Sequence, residues 1–365
     1  MSAGWSVFPT LSMDRERVRW EEYLGALTPV TPGRAVWYKR EDAFAPLGYG
    51  GINGAKLRQL VHLVHQYVQR GGRAGVLTGA SVLSPQNSMA AVVAAHYGLD
   101  TTIVLGGTKP ESCLRHENVA IAAAAGARFE FVPVGYNPAL QRAVADFAAR
   151  PRYQGHYRLH YGISTPPGAT TAEIAAFHAL GANQVRNVPA EVRTLVMTLG
   201  SAYSAASVLL GVAQHRPAGL RRVVLLGIGP TKLDFLQERL VLLGRAAGVD
   251  VTGLFGRRYH HHPGLEVRHQ PPAGAPLLLE HYDLHTTGFA AYGDRMPWQQ
   301  DGIGFHPTYE GKAMAYLARH PGEFAWWHQP AEGEVLFWVI GSAPSLHAMD
   351  PVLAPWVRAQ EGVPA

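Results

Sequence analysis

A single cysteine, Cys113, stands in 365 residues. That excludes an intramolecular disulfide and fits a reducing, cytoplasmic compartment. Lysine is almost as scarce: Lys39, Lys56, Lys109, Lys232 and Lys312 face 27 arginines. Charged residues make up only 16% of the chain. No apolar run reaches the roughly 18 residues that a membrane span needs. The opening stretch MSAGWSVFPTLSMDRERVRW has no basic segment leading into an apolar one, so no secretory leader is expected. Zinc-finger spacing, a lysine-rich tail, an RNP-like motif and a G-x-S-x-G elbow are also missing. The histidine triplet in RRYHHHPG (257–264) does not replace them, because adjacent side chains cannot all face one ion. An exposed loop is expected there, and no metal.

What remains is an ordinary globular composition, 47% hydrophobic, with 40 glycines and 26 prolines to make turns. The length favours two domains. The formal charge of +5 permits an anionic substrate, a phosphorylated cofactor or nucleic acid without choosing among them. From residue 74 short apolar runs alternate with helical patterns. AGVLTG (74–79), TTIVLG (101–106), RFEFVPV (128–134) and HYRLHY (156–161) read as strands. The segments 87–98, 113–126 and 137–150 between them read as helices. GISTPPGATT (162–171) reads as a linker, followed by a second series. Its strands are 194–200, 221–229 and 333–342, and its helices 171–185, 204–215 and 232–248. Continuous apolar strands of this kind form parallel sheets. The expected fold is therefore α/β: two three-layer α/β/α domains with mostly parallel sheets, the smaller inserted in the larger. Residues 1–73 and 166–365 would form the large cofactor-binding domain and 74–165 the small one. The active site is expected in the cleft between them, at the carboxyl ends of the strands.

Four stretches carry chemistry. Lys56, in YGGINGAKLRQLVHLV (49–64), sits between a glycine-rich turn and a helical pattern; an amine there can attack a carbonyl, which a guanidinium cannot. TLGSAYSAAS (198–207) follows an apolar strand and opens a helix. Its residues Gly200, Ser201, Ala202, Tyr203 and Ser204 would offer backbone N–H groups and a hydroxyl to a phosphate, although an ordinary small-residue turn reads the same way. In TGASVLSPQNSMAAVVAAHYGL (78–99), Ser84, Gln86, Asn87 and Ser88 could face a ligand or cap the helix. Capping is the expectation for Ser88 and ligand contact for Ser84. In AAYGDRMPWQQDGIGFHPTYEGKAMAYL (290–317), Tyr292, Tyr309 and Glu310 lie in turns rather than on an apolar face, where phenols line pockets.

In this order the stretches resemble the tryptophan-synthase-β-like, fold type II pyridoxal-phosphate enzymes, nearest the branch of 1-aminocyclopropane-1-carboxylate deaminase and D-cysteine desulfhydrase. YKREDAFAPLGYGGINGAKLRQL is similar to that branch's lysine segment, TLGSAYSAAS to its phosphate loop and GFHPTYEGKAMAYL to its DPVYEGKAM segment. The likeness runs from about residue 35 to 345. It implies pyridoxal 5′-phosphate held by Lys56 as an internal aldimine, with Lys56 later acting as base at the substrate's Cα. Residues 200–204 would hold the phosphate and Glu310 would face the pyridine nitrogen. Tyr292 and Tyr309 would stand over the ring, and Ser84 would contact the substrate. The resemblance also implies a homodimer.

Two departures stand out. The branch has Gly-Gly-Asn-Lys, whereas Gly50-Gly51-Ile52-Asn53-Gly54-Ala55-Lys56 is three residues longer. Pro85 occupies the place of an asparagine beside the cofactor hydroxyl, and proline cannot donate that bond. Asn87 can take the role if the loop is rearranged. The function implied is a lyase or deaminase acting at Cα of a small amino acid. The altered loop and the basic balance motivate a second expectation: decarboxylation or elimination on an amino-acid adduct of a nucleobase in DNA. A cofactor-free binding protein on the same fold is the third.

Overall fold

The computed structural model describes residues 24–46, 52–107, 109–134, 137–260 and 276–343. Two short strands, β1 (Val30–Pro32) and β2 (Trp37–Arg40), precede helix α1 (Ala55–Gln69). Next come β3 (Val76–Gly79), α2 (Pro85–His96), β4 (Thr101–Gly106), α3 (Pro110–Leu114) and α4 (Glu117–Ala124). They are followed by β5 (Arg128–Val132), α5 (Asn137–Ala148) and β6 (Tyr157–Arg158). After α6 (Thr171–Ala182) come β7 (Thr194–Leu199), α7 (Tyr203–His215), β8 (Arg222–Gly227) and α8 (Leu233–Ala247). Strands β9 (Phe255–His260) and β10 (Leu277–Asp283) lead to the hairpin β11 (Trp298–Gln300) and β12 (Ile303–Phe305). Helices α9 (Glu310–Arg319) and α10 (Ala325–His328) precede β13 (Val335–Val339).

Packing divides these residues into two compact units: Leu24 with Phe44–Ala169, and Gly25–Ala43 with Thr170–Ala343. In the first, four parallel strands run in the order β5-β4-β3-β6. Strand alternation sends Thr78 toward α2, where Gln86 Nε2 donates to its hydroxyl at 2.8 Å. Leu77 and Gly79 face α5 on the opposite side. A Cβ on Gly79 would come within 2.6 Å of Val144 Cγ2, so only glycine lets α5 approach. The helix expected over 113–126 is two helices, because His116 is extended (φ −87°, ψ 125°) and the chain restarts at Glu117.

The second unit holds a seven-stranded sheet, β1-β2-β13-β7-β8-β10-β9, parallel except for β1. Leu195, Met197, Val223 and Leu225 pack under α6, α7 and α8. Val196, Val224 and Phe337 face the other way, under α9 and the hairpin. That is a three-layer arrangement, and burying each such side chain contributes about 1.5–3 kcal/mol. Arg257–His260 of the expected loop form strand β9 instead. The charge is tolerated because β9 is the sheet's edge. His261–Gly264, like Tyr49–Gly51, lie outside the described residues.

Candidate active site

Strand β7 is buried along its whole length, which fixes the point where the chain turns into α7. Ala202 makes that turn with φ +72°, and no side chain caps the helix. A left-handed alanine costs about 1–3 kcal/mol and is retained where surrounding structure demands it. A Cβ on Gly200 would meet nothing closer than 3.8 Å, the Ile228 side chain and the Tyr309 ring. Ser204 Oγ is buried and has no hydrogen-bond partner among the described residues. Uncapped N–H groups, the positive end of the helix dipole and an unspent hydroxyl together make an anion cradle.

A second contact braces this helix. His178 Nδ1 on α6 lies 2.8 Å from Ser207 Oγ, and Ser207 donates to the Tyr203 carbonyl at 3.1 Å. With the hydroxyl proton so directed, the imidazole donates from Nδ1. Its Nε2 is buried without a partner. Burial, reinforced by the Arg239 charge, pushes His178 down to about 3, so the ring is neutral. The imidazole also stacks on Tyr203, 6.3 Å between centroids at 21°. Nothing in the sequence marked His178, since its partner lies on another helix.

Tyr309 is the residue that enters α9, and Glu310 is the first of the helix. The hydroxyls of Tyr292 and Tyr309 are 3.0 Å apart, with their rings edge to face at 6.3 Å. Burial raises the Tyr292 phenol, and the bond to Tyr309 opposes that shift. Glu310 is 2% exposed, and its Oε1 accepts from Ile340 N at 3.2 Å. The structure thus brings together Gly200, Tyr292 and Tyr309 within one unit.

Lys56 lies in the other unit, half-buried in the first turn of α1. Gly54 precedes that helix at φ +98°, a conformation that favours glycine. The lengthened turn therefore ends in a residue built for it. At α2 the cap is Ser84 rather than Ser88. Ser84 is the cap, accepting from Gln86 N at 3.3 Å, with Pro85 in the first turn. Ser88 bonds Asn118 Oδ1 at 2.7 Å and Pro85 O at 3.1 Å. Gln86 is spent on scaffolding, bonding Thr78, His160 O and Gly162 N. Asn87 donates from Nδ2 to Ser81 O at 2.9 Å, and its Oδ1 is buried without a partner. Among the described residues no group of three or more His, Cys, Asp or Glu could hold a metal ion. Nor is any helix there long and apolar enough to cross a membrane.

The chain is similar to several known proteins. The family described as pyridoxal-phosphate dependent enzyme matches residues 23–325. An O-seryl-dTMP PLP-dependent decarboxylase of Salmonella phage ViI is 36% identical over 94% of this chain and 88% of its own. A D-cysteine desulfhydrase of Klebsiella pneumoniae is 28% identical over 91% of this chain and 96% of its own. Among solved structures, an ACC deaminase homologue superposes with a TM-score of 0.62 at 20% identity, covering 87% of this chain and 89% of its own.

Proposed function

The chain belongs to the pyridoxal-phosphate dependent enzyme family, and from that premise we propose that it decarboxylates an amino-acid group carried on a nucleotide. The cofactor is pyridoxal 5′-phosphate, which when bound supplies an electron sink for a bond broken at Cα. The observation that carries the substrate reading is the 36% identity, across 94% of the chain, to the phage decarboxylase of O-seryl-dTMP.

The residues fit this cofactor. The unpartnered Ser204 hydroxyl and the uncapped start of α7 suit its phosphate. The unpartnered Asn87 Oδ1 suits a ring hydroxyl, which answers the loss of the asparagine at position 85. In this reading Glu310 faces the pyridine nitrogen and Lys56 Nζ is the attachment point. Decarboxylation releases carbon dioxide and leaves Cα one proton short. Lys56 Nζ delivers that proton, while Tyr292 and Tyr309 orient the substrate and Ser84 contacts it. An O-seryl group treated in this way becomes an O-(2-aminoethyl) group with a primary amine.

Charge supports a substrate borne on DNA. Phe44–Ala169 contains eleven Lys and Arg against five Asp and Glu. Arg70, Arg73, Arg115, Arg142, Arg150 and Arg152 are exposed there, and such groups gain affinity by releasing phosphate counterions. The D-cysteine desulfhydrase relatives favour a second reading, a lyase of free amino acids. In either case the enzyme acts in the cytoplasm as a homodimer. Holoenzyme is to be incubated with O-seryl-dTMP, free and within an oligonucleotide, and separately with D-cysteine and 1-aminocyclopropane-1-carboxylate. Carbon dioxide and an amine product from the seryl nucleotide are expected. Turnover of the free amino acids alone would replace this reading with the second.

A further inference from the structure

Lys312 is a buried lysine that the proposed reaction leaves without a task. It is 0% exposed and sits in the first turn of α9, three residues after Tyr309. Its Nζ donates to the carbonyl of Ala291 at 2.6 Å and to that of Tyr292 at 2.9 Å. The same Nζ lies 5.7 Å from the centre of the Tyr292 ring. Its own backbone N–H bonds the Tyr309 carbonyl at 3.1 Å. One side chain therefore joins the start of α9, which carries Tyr309, to the loop that carries Tyr292.

A fully buried ammonium is costly unless its donors are used. Here burial pushes Lys312 down to about 8 and the Asp294 carboxylate opposes that shift, so the group is still charged at neutral pH. Two backbone carbonyls are better partners than a single carboxylate for fixing a loop, because they set both its position and its direction. The Tyr292 hydroxyl meets Tyr309 at 3.0 Å only if its backbone is held in this place.

We propose that Lys312 is a positioning residue: it clamps the Ala291–Tyr292 backbone to the start of α9 and thereby sets the Tyr292–Tyr309 hydroxyl pair. The consequence for catalysis rests on the reading that this pair orients the substrate, whereas the clamp itself does not. An error of about 1 Å in such a pair can cost on the order of 100-fold in rate.

The test uses 3-fluorotyrosine placed at position 292 and fluorine NMR on apoprotein and holoenzyme, in the parent and in Lys312→Met and Lys312→Gln. Lys312→Met keeps the bulk and removes the donors; Lys312→Gln retains two N–H donors in a shorter side chain. The expected result is a displaced, broadened resonance in Lys312→Met, already present without cofactor, that moves back toward the parent in Lys312→Gln. With the seryl nucleotide, kcat should fall roughly 10- to 100-fold in Lys312→Met with KM nearly unchanged. An unaltered resonance in folded Lys312→Met, or in Lys312→Leu should Lys312→Met not fold, would overturn the clamp. Full activity in Tyr292→Phe would instead remove the catalytic role of the pair, and the fluorine spectra would still decide the role of Lys312.

Discussion

The hydroxyl of Tyr292 lies 3.0 Å from that of Tyr309, so two phenols from separate segments share one proton donor–acceptor contact. Burial raises the Tyr292 phenol, which stays protonated at neutral pH, and either hydroxyl can be the donor of the pair. On the proposed reading, Tyr292→Phe and Tyr309→Phe should each lower kcat by about 10²- to 10⁴-fold while the cofactor absorption band persists. Steady-state kinetics on the seryl nucleotide checks this. Parent-like rates in both variants would remove the pair from the mechanism.

Ser204 separates cofactor binding from folding. Its hydroxyl has no protein partner among the described residues, so Ser204→Ala should leave the melting temperature of the apoprotein nearly unchanged. A hydrogen bond to a charged group is worth about 1.5–3 kcal/mol, which corresponds to roughly 10- to 100-fold weaker cofactor binding. Fluorescence titration with pyridoxal phosphate measures it. An unchanged affinity would mean that the turn does not hold the phosphate.

His178 gives the fold a defined pH dependence. Its folded pKa is depressed to about 3, whereas an exposed histidine titrates near 6.5. Between those values the unfolded chain binds the extra proton, so stability falls as the pH drops from about 6.5 toward 3. The contribution is fully present above about 6.5 and amounts to a few kcal/mol. His178→Asn retains a donor for Ser207 and cannot titrate. Its stability should therefore depend on pH with about one proton fewer across this window, as read from urea unfolding at a series of pH values. Equal slopes in parent and variant would contradict the assignment.

The parallel strands were legible because both of their faces are buried, and β7 and β8 accordingly read as unbroken apolar runs. Strand β10 was not legible, because Glu280 interrupts it and is made tolerable only by Arg222, Arg258 and His260 on neighbouring strands. The Tyr309–Glu310 segment announced itself as a turn opening a helix, which the structure places at α9. Lys312 was opaque, since its carbonyl partners lie 20 and 21 residues away. The capping role of Ser84 had a readable signal: Pro85 at the first helical position makes the residue before it the cap.

Lys56 is the lysine proposed to carry the cofactor, and with five lysines in the whole chain the attachment point can be mapped directly. Holoenzyme is reduced with borohydride, digested and mapped by mass spectrometry. The pyridoxyl-phosphate mass is expected on the peptide containing Lys56, and Lys56→Ala protein should be colourless and acquire no label. A label on Lys39, Lys109, Lys232 or Lys312, or none on reduced holoenzyme, would contradict it.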